Sequence, residues 1–391
     1  MVSTPSATYD LEHIEQQIAA GRNLTSVGKA DLPTPALIID LDRLEANITR
    51  MADYAKQTGI SLRPHSKTHK TPEIARRQIA AGALGICCAT IREAEAMALA
   101  GIEGLLITSE MVGPNKIARL IRLTQQRPDT MATVDSAINA QTLSDAAVAS
   151  NTTLNLMIDI DPFGRRSGIA SGHLAEDLGK LVDSLPSLQL RGVHGYSGAA
   201  SHTRGFTERK KASAAHMLPV IASFEAMKKA GLPVEIMSGA STGTYNIASQ
   251  FDGMTELQVG SYVVMDVDYR RIGGQSGEVY DDFAPALTVL STVNSKCHSD
   301  IATIDAGIKS FATDQDVVPE VVGLEGSTYS FNGDEHGRIH LDNAARDLEL
   351  GEKLELIITH CDPTVNLYDR IYACRGDDVV EVWPVAGRGH L

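Results

Sequence analysis

The strongest constraint on this chain's fold is an alternation that repeats along most of its length. Short runs with strand character recur at Ala36–Asp40, Ile60–Arg63, Gly85–Ala89, Gly104–Thr108, Thr130–Val134, Leu154–Asp159, Leu188–His194, Val234–Met237 and Glu256–Val259. Between many of them lie stretches with apolar residues three and four apart, such as Leu41–Gln57, Pro72–Ala81, Arg92–Ala100 and Ala137–Ala149, the spacing of an amphipathic helix. Repeated strand–helix alternation implies parallel pairing through right-handed crossovers, and a closed (β/α)8 barrel of the TIM type is the economical solution. Nine strand candidates are one too many, so one is misassigned or belongs to another sheet.

After about Arg270 the texture changes. Ala286–Val293, Ile301–Asp305, Val317–Val322, Lys353–Ile358 and Val379–Pro384 are β-like, broken by turn signals at Asn332-Gly333 and Gly351, with no obvious long helix. The 391 residues therefore divide into an N-terminal helix or linker (1–32), a barrel (33–275) and an all-β C-terminal domain (276–391).

A net charge of −14 argues against a general nucleic-acid or anionic-membrane binder, since repulsion from phosphates opposes docking. No run approaches a membrane span, and the first thirty residues lack the apolar stretch of a secretory signal. Five cysteines, with neither disulfide nor CxxC zinc spacing, suggest reduced thiols and a cytoplasmic protein.

The polar segments that close the strand candidates carry the chemistry. Arg63-Pro64-His65-Ser66-Lys67-Thr68-His69-Lys70 follows one strand, the address of catalytic groups in barrels. Neighbouring positive charge would lower the Lys67 amine pKa and favour covalent attachment to a carbonyl, although a solvated basic loop has the same composition. Ser238-Gly239-Ala240-Ser241-Thr242-Gly243-Thr244 follows a late strand; small residues there let backbone N–H groups approach a phosphate. Asp161-Pro162-Phe163-Gly164-Arg165-Arg166-Ser167-Gly168 and Gly195-Tyr196-Ser197-Gly198, with His202 beyond, give two further loops at strand ends. In Thr359-His360-Cys361-Asp362-Pro363 an extended backbone would point His360 and Asp362 to one side, forming half a site for a hard or borderline divalent ion. Asp334-Glu335-His336-Gly337 lies upstream and could support it or be a polar turn.

Together these stretches resemble the fold-type III pyridoxal-phosphate enzymes, and among them the D-threonine aldolases, 3-hydroxyaspartate aldolases and D-serine dehydratases. The similarity runs from Thr34-Pro35-Ala36-Leu37-Ile38-Ile39-Asp40-Leu41-Asp42 to Val382-Trp383-Pro384-Val385. It includes Cys87-Cys88-Ala89-Thr90, Glu93-Ala94-Glu95, Val259-Gly260-Ser261-Tyr262 and Met265-Asp266-Val267-Asp268-Tyr269. The resemblance implies that Ala36–Asp40 joins the C-terminal domain, leaving eight barrel strands. It implies a homodimer with shared active sites, to which Asp305-Ala306-Gly307-Ile308-Lys309 contributes.

Carried over to this chain, the resemblance makes Lys67 the cofactor lysine. Thr242, Gly260, Ser261 and Tyr269 hold the phosphate, Arg166 contacts the cofactor ring or its phenolic oxygen, and Tyr196 lies against the pyridine. His202 is the acid/base, and His360 and Asp362 bind a divalent metal, with Asp334 a further candidate. The paired Arg165-Arg166 departs from single-arginine members of the family.

The activity implied is cleavage of a D-β-hydroxy-α-amino acid, D-threonine-like or 3-hydroxy-D-aspartate, to glycine and an aldehyde. D-Serine dehydratases pair His with Cys two residues on; Asp362 here favours an aldolase and a harder ion, Mn²⁺ before Mg²⁺, Co²⁺ or Zn²⁺. A racemase would leave His360 and Asp362 idle, and a non-catalytic cofactor-binding protein would need no second domain. Arg63, Arg165 and Arg270 could serve a substrate carboxylate, as in 3-hydroxy-D-aspartate, or only the cofactor phosphate.

Overall fold

The computed structural model describes residues 27–163 and 165–389, so most of the helix or linker expected at 1–32 lies outside the described residues. Its strands are β1 (Ala36–Asp40), β2 (Ser61–Leu62), β3 (Ile86–Cys88), β4 (Leu105–Ile107), β5 (Met131–Val134), β6 (Leu154–Asp161), β7 (Ile169–Ala170), β8 (Leu188–Gly195), β9 (Ile236–Gly239) and β10 (Glu256–Leu257). Then follow β11 (Leu287–Ser295), β12 (Ile301–Ile304), β13 (Glu320–Val321), β14 (Thr328–Phe331), β15 (Gly337–His340), β16 (Lys353–Ile357), β17 (Arg370–Arg375) and β18 (Asp378–Pro384). The longer helices are α1 (Leu41–Thr58), α2 (Pro72–Ala80), α3 (Ile91–Leu99), α4 (Pro114–Gln126), α5 (Ala137–Ala149), α6 (His173–Ser184) and α7 (Phe206–Lys229).

Eight parallel strands form one curled sheet in the order β2-β10-β9-β8-β6-β5-β4-β3, with β7 attached to β6. A parallel bridge from His65 to Cys87 joins the two ends of this order, helped by the Cys87 N–H donating to the Pro64 carbonyl at 2.8 Å. Alternation along each strand explains the layers. Ile86, Cys88, Leu105, Ile107, Leu156, Ile158 and Met237 pack in the large outer core with the helices. Their neighbours Cys87, Leu106, Met131 and Met157, with Ile236 against them, form a separate inner cluster. The interior is thus plugged by side chains, as in other barrels of this size. Local caps start several helices: Thr90 accepts from the Glu93 N–H, and Ser136 from the Asn139 N–H, satisfying first-turn donors.

The other sheet runs β14-β15-β12-β11-β1-β17-β18, with β16 pairing β11 and β13. β1 accounts for the surplus ninth strand. It lies antiparallel to β11 (Ala36 opposite Leu290) and parallel to β17 (Ile38 opposite Tyr372). The compact units therefore depart from the expected boundaries. Among the described residues, one comprises 27–46, 264–268 and 284–385; the other comprises 47–263, 269–283 and 386–389. Pairing decides this: residues 33–46 follow β1, and the Val267 and Asp268 N–H groups donate to the carbonyls of Ile358 and Thr359. The Gly387 N–H donates to the Lys70 carbonyl, taking the C-terminal residues to the barrel unit. The second unit is also mostly rather than wholly β, because a short helix spans Cys361–Val365.

Candidate active site

The barrel's C-terminal strand ends build a cavity of about 210 Å³ lined by His65, Lys67, Ala89, Thr108, Ser109, Arg166, Ser167, His194, Tyr196 and Gln258. Lys67 sits in a single 3₁₀ turn, Ser66–Thr68, directly after β2. Three bonds fix that turn. The Lys67 N–H donates to His65 Nδ1 (3.3 Å), Ser66 Oγ donates to the Cys87 carbonyl (3.0 Å), and Lys70 Nζ donates to the Lys67 carbonyl (2.6 Å). The Lys67 Nζ lies 5.3 Å from the Tyr196 ring centroid, and the Arg166 guanidinium carbon 5.2 Å from the same ring.

Of the like charges expected to crowd Lys67, that of Arg63 is taken up by a carboxylate, whereas Lys70 stays beside Lys67 with its Nζ on the Lys67 carbonyl at 2.6 Å. Arg63 is buried and doubly bonded to the Glu256 carboxylate, Nε to Oε1 at 2.9 Å and Nη2 to Oε2 at 3.0 Å. Its charge is neutralised, which also removes it as a substrate-carboxylate ligand. His65 accepts at Nδ1, so its proton lies on Nε2, which donates to Thr108 Oγ1 at 3.1 Å. His69 likewise accepts at Nδ1 from the Thr71 N–H at 3.1 Å.

A polar chain, partly lining the cavity, runs along the ends of β6, β8, β9 and β10. His194 Nδ1 donates to Asp159 Oδ1 (2.6 Å), His194 Nε2 to Gln258 Oε1 (3.2 Å), and Gln258 Nε2 to Ser238 Oγ (2.8 Å). Ser167 Oγ donates to Asp159 Oδ2 at 3.0 Å. Burial alone would push the Asp159 carboxyl up, but the charge and hydrogen bond of His194, with bonds from Glu110 and Ser167, hold it below its ordinary value. Glu110 moves the other way, up to about 7, through burial and then the hydrogen bond and charge of Asp159. Two adjacent carboxyls cannot both ionise cheaply, so the pair keeps one proton, on Glu110. No motif in the sequence singled out Asp159, His194, Glu110 or Gln258; the available signal was that Asp159 and His194 end two of the expected strands.

The residues expected to hold a phosphate cluster after the last two barrel strands. Thr242–Thr244 forms a 3₁₀ turn after β9, and Ser261–Val263 another after β10. Thr242 Oγ1 accepts from the Tyr262 N–H at 2.9 Å, which leaves the hydroxyl proton to donate elsewhere. A Cβ on Gly260 would come within 2.6 Å of Thr68 Oγ1, so the phosphate turn and the lysine turn are packed together. Tyr269 is buried, and its ring centroid is 4.6 Å from that of His202. Thr242, Gly260, Ser261, Tyr269 and His202 do not line the cavity that holds Lys67, Arg166 and Tyr196. The pyridoxal phosphate implied by the resemblance fits these residues. A primary amine stands over an aromatic ring in a cavity, small-residue turns follow the last strands, and the buried Thr68 Oγ1 has no hydrogen-bond partner among the described residues.

The expectation that His360 and Asp362 share a face through strand alternation does not hold, because the helix beginning at Cys361 ends the extended backbone. His360 is that helix's N-cap, and its Nδ1 bonds Asp314 Oδ2 at 2.7 Å. Burial depresses the His360 pKa, but Asp362, Asp266 and Asp314 outweigh it and raise the value. Asp266 is fully buried and accepts from the Cys361 N–H at 2.9 Å. Asp314, which no sequence signal singled out, is thus the carboxylate on the ring. The exposed Asp334 instead uses its carbonyl to accept the Lys309 N–H in the β14–β15 turn. Among the described residues no three His, Cys, Asp or Glu side chains form a group able to hold a metal ion. The donor chemistry, an imidazole with nearby carboxylates, fits a half-site completed by other ligands.

Barrel and strand-end lysine together define the class. The chain belongs to the family described as alanine racemase, N-terminal domain, whose model matches residues 39–268; a second model, putative serine dehydratase domain, matches 286–374. The 3-hydroxy-D-aspartate aldolase of Paracoccus denitrificans (strain Pd 1222) is 36% identical over 369 residues, 94% of this chain and 95% of that protein. The D-threonine aldolase of an Arthrobacter species is 35% identical over 362 residues, 92% of this chain and 94% of its own. The solved D-threonine aldolase from Filomicrobium marinum aligns with a TM-score of 0.88 at 37% identity, covering 92% of this chain and 97% of that one.

Proposed function

We propose that this protein is a pyridoxal-phosphate-dependent carbon–carbon lyase that cleaves D-β-hydroxy-α-amino acids, D-threonine or 3-hydroxy-D-aspartate among them, to glycine and an aldehyde. The observation that carries the reading is Lys67, held by three bonds in a rigid turn at the end of β2 with its amine over Tyr196 in the strand-end cavity. Aldolase relatives at 35% and 36% identity over nearly the whole chain support it.

Bound at Lys67, the cofactor supplies an electron sink for a bond at the substrate Cα. The chain's own residues do the rest. Lys67 would be the residue that holds the cofactor. Thr242, Gly260, Ser261 and Tyr269 would hold its phosphate, and Tyr196 and Arg166 would hold its ring. His202, kept beside Tyr269, accepts the β-hydroxyl proton. His360 and Asp362 would hold a divalent ion, Mn²⁺ first, which would supply Lewis acidity; Asp314 orients the His360 ring. The reading includes a cytoplasmic homodimer with shared active sites, testable by light scattering after size exclusion. Among the described residues no helix is long and apolar enough to cross a membrane.

A dehydratase is the second reading, favoured by the serine dehydratase model over residues 286–374. Products decide. D-Threonine giving acetaldehyde and glycine, with activity lost to chelator and restored by Mn²⁺, supports the aldolase; 2-oxobutanoate and ammonia replace it with the dehydratase.

A further inference from the structure

Arg209, in the first turn of α7, is fully buried. Its guanidinium donates four hydrogen bonds, all to backbone carbonyls: Nε to Gly243 (2.8 Å), Nη1 to Thr203 (3.0 Å) and Ile272 (2.9 Å), and Nη2 to Gly273 (2.8 Å). Its guanidinium carbon lies 5.7 Å from the ring centroids of both Phe206 and Tyr280. Among the described residues no carboxylate is bonded to it; Asp282 acts only through space. A cation buried among neutral acceptors is costly unless an anion lies close by.

The bond to Gly243 says where that anion belongs. Gly243 is the middle residue of the Thr242–Thr244 turn. The preceding carbonyl, of Thr242, accepts from the Tyr280 hydroxyl at 2.7 Å. In a trans peptide the N–H points opposite the C=O, so pinning the Thr242 carbonyl to Tyr280 aims the Gly243 N–H away from Tyr280. Position 243 admits only glycine, since a Cβ there would meet the Ser201 carbonyl oxygen at 2.2 Å. Two consecutive carbonyls of one turn are thus held from behind, one of them by a charge with no carboxylate partner.

The geometry points to Arg209 as a positioning residue for a phosphate monoester: it fixes the carbonyl side of the 242–244 turn and supplies the positive charge that a phosphate dianion at the turn balances. This deepens the cofactor reading and rests on it. Tyr280 is the second, uncharged member of the same device.

The test compares two cofactors that differ only in the phosphate. Full-length chain stripped of cofactor is titrated with pyridoxal 5′-phosphate and with pyridoxal, following the absorbance of the Lys67-bound form. Arg209→Met should weaken binding of the phosphate ester about tenfold or more while leaving pyridoxal within about twofold, the scale of a lost charged interaction. Tyr280→Phe should shift the same ratio in the same direction by a smaller factor, and Arg209→Lys should fall between wild type and Arg209→Met. Equal losses for both cofactors, or no loss for either, overturn the role. If Arg209→Met does not fold, Arg209→Lys and Tyr280→Phe decide by the same ratio. A wild-type chain that takes up neither compound removes the cofactor reading itself, which a change of ratio among the variants cannot do.

Discussion

The barrel's strand ends and the His360 corner carry the same kinds of side chain in opposite conditions. Around Lys67, Ser66, Thr68 and His69 are fully buried, Arg63 is matched to Glu256, and the imidazoles of His65 and His69 are held by named bonds. At the corner, the His360 side chain is 20% exposed and Asp314 is 42% exposed, and negative charge dominates the imidazole. The first region is largely organised before any ligand arrives, since unpartnered buried polar groups are costly; the exception is Thr68 Oγ1, buried without a hydrogen-bond partner among the described residues. The second gathers surplus carboxylate charge on a partly exposed imidazole, with Asp314 where water screens it and Asp266 buried. Preorganisation suits covalent attachment; an open, acidic half-site suits an exchangeable ion.

That contrast can be broken in order of effect. Lys67→Ala should abolish both turnover and the visible absorbance of the holoenzyme while leaving far-ultraviolet circular dichroism unchanged; a coloured variant would sink the assignment of the lysine. Glu256→Gln leaves the Arg63 guanidinium buried without its counter-charge and should cost about 3–5 kcal/mol in denaturant unfolding. A loss within the few tenths typical of surface pairs would mean the barrel floor is not closed. At the corner, Asp314→Asn should weaken divalent-metal affinity about 10–100-fold with little change in melting temperature. Unchanged affinity by calorimetry would place the ion elsewhere.

The smallest effect concerns Glu110. Its folded pKa is raised, so the folded chain keeps a proton that the unfolded chain loses above about 4.5. The associated stability is fully present below that pH and is lost as pH rises through about 7. Melting temperatures of Glu110→Gln should therefore gain on wild type across this window. Parallel curves would show that Glu110 and Asp159 do not share a proton.

The helix-period and strand-period runs were legible because alternation of three or four against two is written locally. α5 has the bounds read from the sequence, and each barrel strand lies within two residues of its expected start. Lys67, Arg166 and Tyr196 were legible by address, each following an apolar strand. Asp314 was not, because nothing in its neighbourhood announces a partner 46 residues away. Nor was the end of extended backbone at Cys361, where a five-residue helix overrides the local β pattern.

The sequence by itself determined the barrel's strand and helix types and the strand-end positions of its polar loops, since both follow from short-range periodicity. Only the tertiary structure decided that β1 leaves the barrel to pair with β11 and β17. It alone set Arg63 against Glu256, 193 residues away, and Arg209 against the Gly243 carbonyl. Charge neutralisation and carbonyl capture depend on which groups burial brings together, and no local pattern encodes that distance.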